Sequence, residues 1–251
     1  MVWLPTVSAV VVRVAWACPV VTALTVGSHT IVATYNGSLD FAIGIPSPPA
    51  SQTVVESATT MNLTSTANPS KFGETVTFRA QVTSASGAIP SGQVVFKNNG
   101  VVVGTAFLDA TGLAKFTTNA LPVGTHAITA EYAGTTNFLA SNIGSLSQEV
   151  VQSNSRLVLT SSTTSPGVRT TITIKIGAQS PGSAQVAKPT GQVSVKIDGV
   201  DRGTFDLVNG VFNLVLPSGL SAGQHKFVVQ YSGDGNFLAR TFTVYLTFGS
   251  R

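Results

Sequence analysis

The chain has 251 residues, of which only 10% are charged, against roughly 25% in an average soluble protein. Its mean hydropathy is +0.32, because Val, Thr, Ser and 24 Gly stand where charges would otherwise be. That composition excludes a charge-rich disordered chain and a coiled coil, both of which need Glu and Lys. One cysteine, Cys18, excludes an intramolecular disulfide framework, and one Cys with three His argues against a structural zinc cage.

The net charge is +4, from 14 Lys and Arg against 10 Asp and Glu. No two of the cations are adjacent, so the imbalance reads as a shortage of acids. Nucleic-acid binding needs cations converging on one surface, and it is not expected here.

At the N-terminus the best apolar stretch, Val7 to Val12, is followed at once by Arg13, and Pro19 interrupts the run beyond it. A spanning helix needs about 20 apolar residues, so no membrane insertion is expected. Met1 to Pro5 carry no basic residue, which argues against a secretory signal. Residues 1–19 match no other part of the chain, and Cys18 there reads as an incidental thiol.

From about residue 20 the chain repeats itself. The segment Gly27-Ser-His29 through Tyr35, Gly37, Asp40 and Phe41 recurs as Gly124-Thr-His126 through Tyr132, Gly134, Asn137 and Phe138. It recurs again as Gly223-Gln-His225 through Tyr231, Gly233, Asn236 and Phe237. Gly92 to Lys97 matches Gly191 to Lys196, and Ser51 to Ser57 matches Ser147 to Ser153. The period suits autonomous domains of about 100 residues. The expected units are a partial one at 20–57, holding C-terminal strands only, and full ones at 58–153 and 154–251. The Pro-rich stretch Ile45 to Ala50 falls between the last two strands of the partial unit. With its earlier strands missing, residues before about 57 are expected to fold incompletely, as in a fragment or an internally started reading frame.

Within the full units, alternation marks the strands. Val76, Phe78, Ala80 and Val82 share one face, with Thr75, Thr77, Arg79 and Gln81 on the other; Ile172, Ile174 and Ile176 repeat the pattern. Asn98-Asn99-Gly100, Asp198-Gly199 and Asp109 to Gly112 read as hairpin turns. About seven strands per unit, with no helical period, predict an all-β fold of tandem immunoglobulin-like β-sandwiches.

The ordered motifs Leu63-Thr-Ser, Asn68-Pro-Ser, Phe72-Gly through Phe78, Pro90 to Phe96, Leu121 to His126, and Tyr132 with Asn137-Phe138 resemble the bacterial Ig-like domain repeat family. The second full unit departs from it, with Ser165-Pro-Gly in place of Asn-Pro-Ser and a shorter final loop. The resemblance implies an extracellular or cell-surface setting, and no catalytic residues.

The sites read accordingly. His29, His126 and His225 share one motif position and start inward-facing series, which suits a side chain bonding back to the backbone at a strand corner. The Asx-Phe loops suit an Asx turn before a packed aromatic better than calcium, which wants six to eight oxygens. Asp198, Asp201 and Asp206 read as solvent-facing. No nucleophile–base–orienter set can be assembled, and no catalytic, cofactor or metal site is expected. The expected role is a non-catalytic spacer or stalk in a bacterial surface or secreted protein. Its partners are neighbouring repeats or a larger parent protein. An adhesin or carbohydrate-binding module, using its loops on a surface glycan or protein, is the alternative.

Overall fold

The computed structural model describes residues 9–13, 24–35, 37, 42–183 and 185–249. Cys18, Asp40 and Phe41 lie outside the described residues. Among the described residues every element is a strand: β1 (Ala9–Arg13), β2 (Gly27–Thr34) and β3 (Ala50–Val54) form one sheet in the order β1-β2-β3. β1 takes up part of the apolar Val7–Val12 stretch and pairs parallel to β2. No described residue from 24 to 56 is fully buried. Tyr35 is 46% exposed, where its repeat partners Tyr132 and Tyr231 are 2% and 1%.

The next eight strands are β4 (Thr59–Ser65), β5 (Ser70–Lys71), β6 (Val76–Ser84), β7 (Gln93–Asn98), β8 (Val101–Phe107), β9 (Leu113–Thr118), β10 (Gly124–Tyr132) and β11 (Gly144–Val151). They make a sandwich of β4-β6-β9 against β5-β11-β10-β7-β8. Alternation drives the closure: Val76, Phe78, Ala80 and Val82 all point inward with 1% exposure or less. Opposite them stand Val94, Phe96, Ile128 and Ala130. Burying each large apolar side chain contributes about 1.5–3 kcal/mol.

A second sandwich follows from β12 (Ser155–Ser161), β13 (Thr170–Ala178), β14 (Gln192–Ile197), β15 (Val200–Asp206), β16 (Val211–Leu216), β17 (Gly223–Tyr231) and β18 (Arg240–Phe248). Its sheets are β12-β13-β16 and β15-β14-β17-β18. The last hairpin keeps one register in all three copies: His29 faces Gln52, His126 faces Gln148, and His225 faces Leu246.

Asn99 and Asp198 sit at φ 49° and 50°, each followed by Gly, in the tight hairpin turns expected of Asn-Gly and Asp-Gly. The turn at Asp109 to Gly112 is not a hairpin. It carries the chain from β8 in one sheet to β9 in the other, with Asp109 Oδ1 accepting from the backbone of Thr111 and Leu113. Sequence marks the turn residues but not which sheet receives the next strand.

The departure at Ser165-Pro-Gly has a structural counterpart. In the first sandwich Gln148 is fully buried and holds the 65–70 turn, accepting from Ser65 Oγ and donating to the Ala67 carbonyl. Asn68 clips the same turn to the backbone of Ser147 and Glu149, and β5 pairs beside β11. Leu246 replaces Gln148 in the second sandwich, and among the described residues no β18 side chain is hydrogen-bonded to the corresponding turn.

Candidate functional site

The feature with most organisation outside the two cores is the seam where the sandwiches meet. The chain leaves β11 and enters β12 through Ser153, which is fully buried. Ser153 donates its N–H to the Asn236 carbonyl at 2.9 Å and accepts from the N–H of Leu238 at 3.0 Å. Ser155 Oγ then donates to the Leu238 carbonyl at 3.0 Å. The same stitch recurs upstream. Ser57 donates to Asn137 and accepts from Leu139, both at 2.9 Å, and Thr59 Oγ1 donates to the Leu139 carbonyl. The Tyr-x-Gly-x-x-Asx-Phe loop is therefore a clamp on the incoming chain. Its Asn residues serve through backbone carbonyls.

This corrects the expected Asx turn at Asn137 and Asn236. In the second sandwich that role falls two residues earlier, on Asp234. Its Oδ1 accepts from the N–H groups of Asn236 and Phe237, and its Oδ2 from Thr190 N–H, Thr190 Oγ1 and the Tyr231 hydroxyl. Burial pushes the Asp234 carboxyl up, but the bonds from Thr190, Asn236, Phe237 and Tyr231 together hold it below the usual carboxylate range. Burial and the neighbouring Asp234 charge raise the Tyr231 phenol. Five donors leave little of that carboxylate for a cation. Thr135 stands at this position in the first sandwich, where Tyr132 donates to the Ser91 carbonyl instead.

Phe72 closes the seam. It belongs by sequence to the first sandwich, yet it is 3% exposed within the core of the second. Its ring meets Phe237 edge-on at 5.6 Å between centroids, a favoured aromatic geometry. Its carbonyl accepts from the N–H of Ser183 at 3.3 Å. Gly73, at φ 76°, and Gly182 make the close approach possible. A Cβ at Gly73 would collide with the Ser183 backbone, and one at Gly182 with the Ser153 side chain.

The histidines hold the strand corners. Nε2 of His29, His126 and His225 lies 2.6, 2.9 and 3.0 Å from the carbonyls of Thr25, Pro122 and Ser221, each four residues back. A carbonyl only accepts, so Nε2 is the donor in each case. The second nitrogen differs. Nδ1 of His126 faces Asn98 Nδ2 at 3.2 Å, while Nδ1 of His225 faces Asp198 Oδ2 at 2.6 Å. Asp198 is thus no mere solvent-facing residue. It also accepts the N–H of Lys226. Asp201 and Asp206 do remain exposed. The His225 hydrogen bond and the Lys226 N–H lower the Asp198 carboxyl, and the Asp198 hydrogen bond raises His225 above its ordinary value.

Ser221 Oγ stands 3.4 Å from His225 Nε2, so Ser221, His225 and Asp198 bring together the residue types of a hydrolytic triad that sequence reasoning did not assemble. Their roles do not follow. Nε2 of His225 is turned to the Ser221 carbonyl at 3.0 Å, closer than its 3.4 Å to Ser221 Oγ, and a nitrogen that donates to a carbonyl has no lone pair there to accept a serine proton. Among the described residues, no group of three or more His, Cys, Asp or Glu is placed to hold a metal. Among them, too, no helix is long and apolar enough to cross a membrane.

A family model described as bacterial Ig-like domain (group 3) matches residues 63–151 and again 158–248. The chain belongs to this family. The two bacterial Ig-like domains match the two sandwiches in order, with the Ser153 seam between them. Among solved structures, the fibronectin(III)-like modules of Clostridium thermocellum CbhA share 17% identity over 76% of this chain and 94% of theirs, with a TM-score of 0.27. The Yersinia pseudotuberculosis adhesin InvE shares 14% over 76% of this chain, with a TM-score of 0.33. A β-glycosidase from Bacteroides vulgatus shares 11% over 77%, with a TM-score of 0.28. The chain spans 58% of that adhesin and 25% of that glycosidase. Likenesses this remote carry no argument about activity. No curated protein matches the sequence.

Proposed function

We propose that the chain is a non-catalytic spacer segment of a bacterial cell-surface or secreted protein, with Ig-like units at 58–153 and 154–251 and the last strands of another at 20–57. The observation that supports this reading is the seam. Phe72 fills the next domain's core, and the clamp loop holds the linker by backbone bonds on both sides of Ser153. A linker with no slack turns two domains into one strut, which is what a spacer requires. Its partners in this reading are neighbouring repeats of the same kind and the parent protein that they carry.

The test is the distribution of distances between spin labels placed one on each domain, at exposed Thr117 and Thr243. A narrow distribution is expected, broadening in Phe72→Ala. A broad distribution in the unaltered chain would sink the spacer reading.

A further inference from the structure

The positive charge is not spread evenly over the two domains. Residues 58–153 carry four Lys and Arg against four Asp and Glu, whereas 154–251 carry nine against four. Three of those nine line one concavity of about 590 Å³ beside the seam: Arg156 on β12, Lys175 on β13 and Lys188 in the β13–β14 loop. No acid lines it. Among the described residues, none of the three makes an ion pair.

We infer that this concavity is a binding site for an anionic polysaccharide, one that bears carboxylate, sulfate or phosphate groups. The inference rests on an observation separate from the seam that supports the spacer reading.

The register sets the cations together. Arg156 pairs with Gly177, and Lys175 lies two residues before Gly177 on the same outward face. Gly177 leaves that face open, since a Cβ there would meet nothing nearer than Arg156 Nε at 3.8 Å. The first domain provides the contrast. Thr60, Gln81 and Ile89 occupy the matching positions, so three neutral residues have become three cations. In the first domain the face is closed on itself, with Thr60 bonded to Thr83 and Gln81 to the Thr111 carbonyl. The β13–β14 loop, residues 179–191, is also longer than its counterpart at 85–92. It is braced across the seam where Gly182 packs on Ser153 and Ser183 donates to Phe72.

The size falls within the range of small-ligand sites, roughly 300–1,000 Å³. Gln185 and Asn209 line the same concavity, and their amides suit sugar hydroxyls. No aromatic side chain lines the concavity, so the stacking surface that single-stranded nucleic acid uses is missing.

The test is titration of the full chain at low ionic strength with polygalacturonate, dextran sulfate, a polyol phosphate polymer and neutral dextran. Single-stranded DNA serves as the polyanion control. At least one anionic polysaccharide is expected to bind and dextran not, and the three charged probes tell carboxylate, sulfate and phosphate apart. The variant Arg156→Thr, Lys175→Gln, Lys188→Ile carries the first domain's residues and should keep its melting temperature. It should lose about tenfold in affinity, as three exposed charge contacts together allow. A second variant, Lys196→Gln, Arg202→Thr, Lys226→Gln, removes as much charge from the opposite sheet and should lose less than about threefold. The inference is overturned if no anionic polysaccharide binds, if both variants lose affinity equally, or if DNA binds as tightly through the same three residues.

Discussion

Asp198 Oδ2 lies 2.6 Å from Nδ1 of His225, where the first domain offers His126 an amide from Asn98 instead. The two corners share a backbone plan and differ in charge. Asn99 and Asp198 occupy the same turn position, at φ 49° and 50°, and each accepts an N–H of the neighbouring histidine-bearing strand, from Ala127 or Lys226. Replacing an amide by a carboxylate there keeps the turn and adds an ion pair. The Asn98 amide then has no counterpart, since Ile197 stands in its place. Asn98 Oδ1 is left buried without a partner in the first domain, a cost that the second avoids.

The first prediction concerns pH. His225 is raised above its unfolded value, so its contribution is complete below about pH 6.5 and is lost as pH rises through the folded value. Asp198 is lowered, so its contribution is present above about pH 4 and is lost as pH falls through its folded value. The pair therefore stabilises the second domain most in the window between. Because the Asp198 side chain is 46% exposed, water screens the pair to about 1 kcal/mol or less. Proton NMR titration of the ring should place His225 above 6.5, and Asp198→Asn should bring it down. A His225 resonance unmoved by Asp198→Asn would contradict the pairing.

The second prediction transplants the corner. Asn98→Ile with Asn99→Asp gives the first domain the residues of the second. A carboxylate at 99 should still accept the Ala127 N–H and should meet Nδ1 of His126. The double variant should be more stable than Asn98→Ile alone by about 1 kcal/mol or less, a gain that added salt reduces. Asn98→Ile alone should leave stability within about 1 kcal/mol, because it removes a buried unpaired oxygen along with the amide that faced the ring. If the double variant is no more stable than Asn98→Ile alone at any salt concentration, the charge difference at residue 99 does not set the corner's chemistry.

Much of this architecture was legible because its causes are local. Alternation at Val76 to Val82 needs only neighbouring residues, and Gly after Asn99 or Asp198 needs only a positive φ. The histidine bond to a carbonyl four residues back is local too. What could not be read depends on partners far away in the chain. Phe72 looks like one more member of its own turn, and nothing beside it announces that Phe237 will cover it. Asp198 and His225 were each visible alone. A comparison of Asn99 with Asp198 at the turn that faces the histidine strand carries the signal for their pairing. The Asx turn was placed two residues late because the motif's repeated position is Asn137 and Asn236, whereas the capping carboxylate of Asp234 occurs in one domain only.

The third prediction uses two glycines with nearly the same φ. Gly73 and Gly167 sit at φ 76° and 68°, so alanine at either incurs left-handed strain of about 1 kcal/mol. Around Gly167 nothing lies within 4 Å of a new Cβ, whereas at Gly73 the Ser183 backbone blocks it. Gly167→Ala should therefore lower stability by that strain alone and leave the distance distribution between the domains unchanged. Gly73→Ala should lose more and broaden the distribution, as is expected of Phe72→Ala. Equal behaviour of the two glycine variants would mean that the Gly73–Ser183 approach does not hold the seam.

The fourth prediction separates the clamp loop from the core. Asp234 gathers Thr190, Tyr231, Asn236 and Phe237 around one carboxylate, so Asp234→Ala should free the loop that grips Ser153. Partial exposure lets water replace some of those bonds, which limits the loss to about 1–2 kcal/mol. Asp234→Thr, the residue found at 135, should lose less, because a hydroxyl can accept one of the same N–H groups. The folded carboxyl is held below the usual range, so its stabilisation is present above about pH 4 and fades as pH falls through the lowered value. Urea denaturation of the unaltered chain and of Asp234→Ala should thus show a gap at pH 7 that narrows toward pH 2. A gap of constant width across that range would mean that the aspartate acts by its shape and not by its charge.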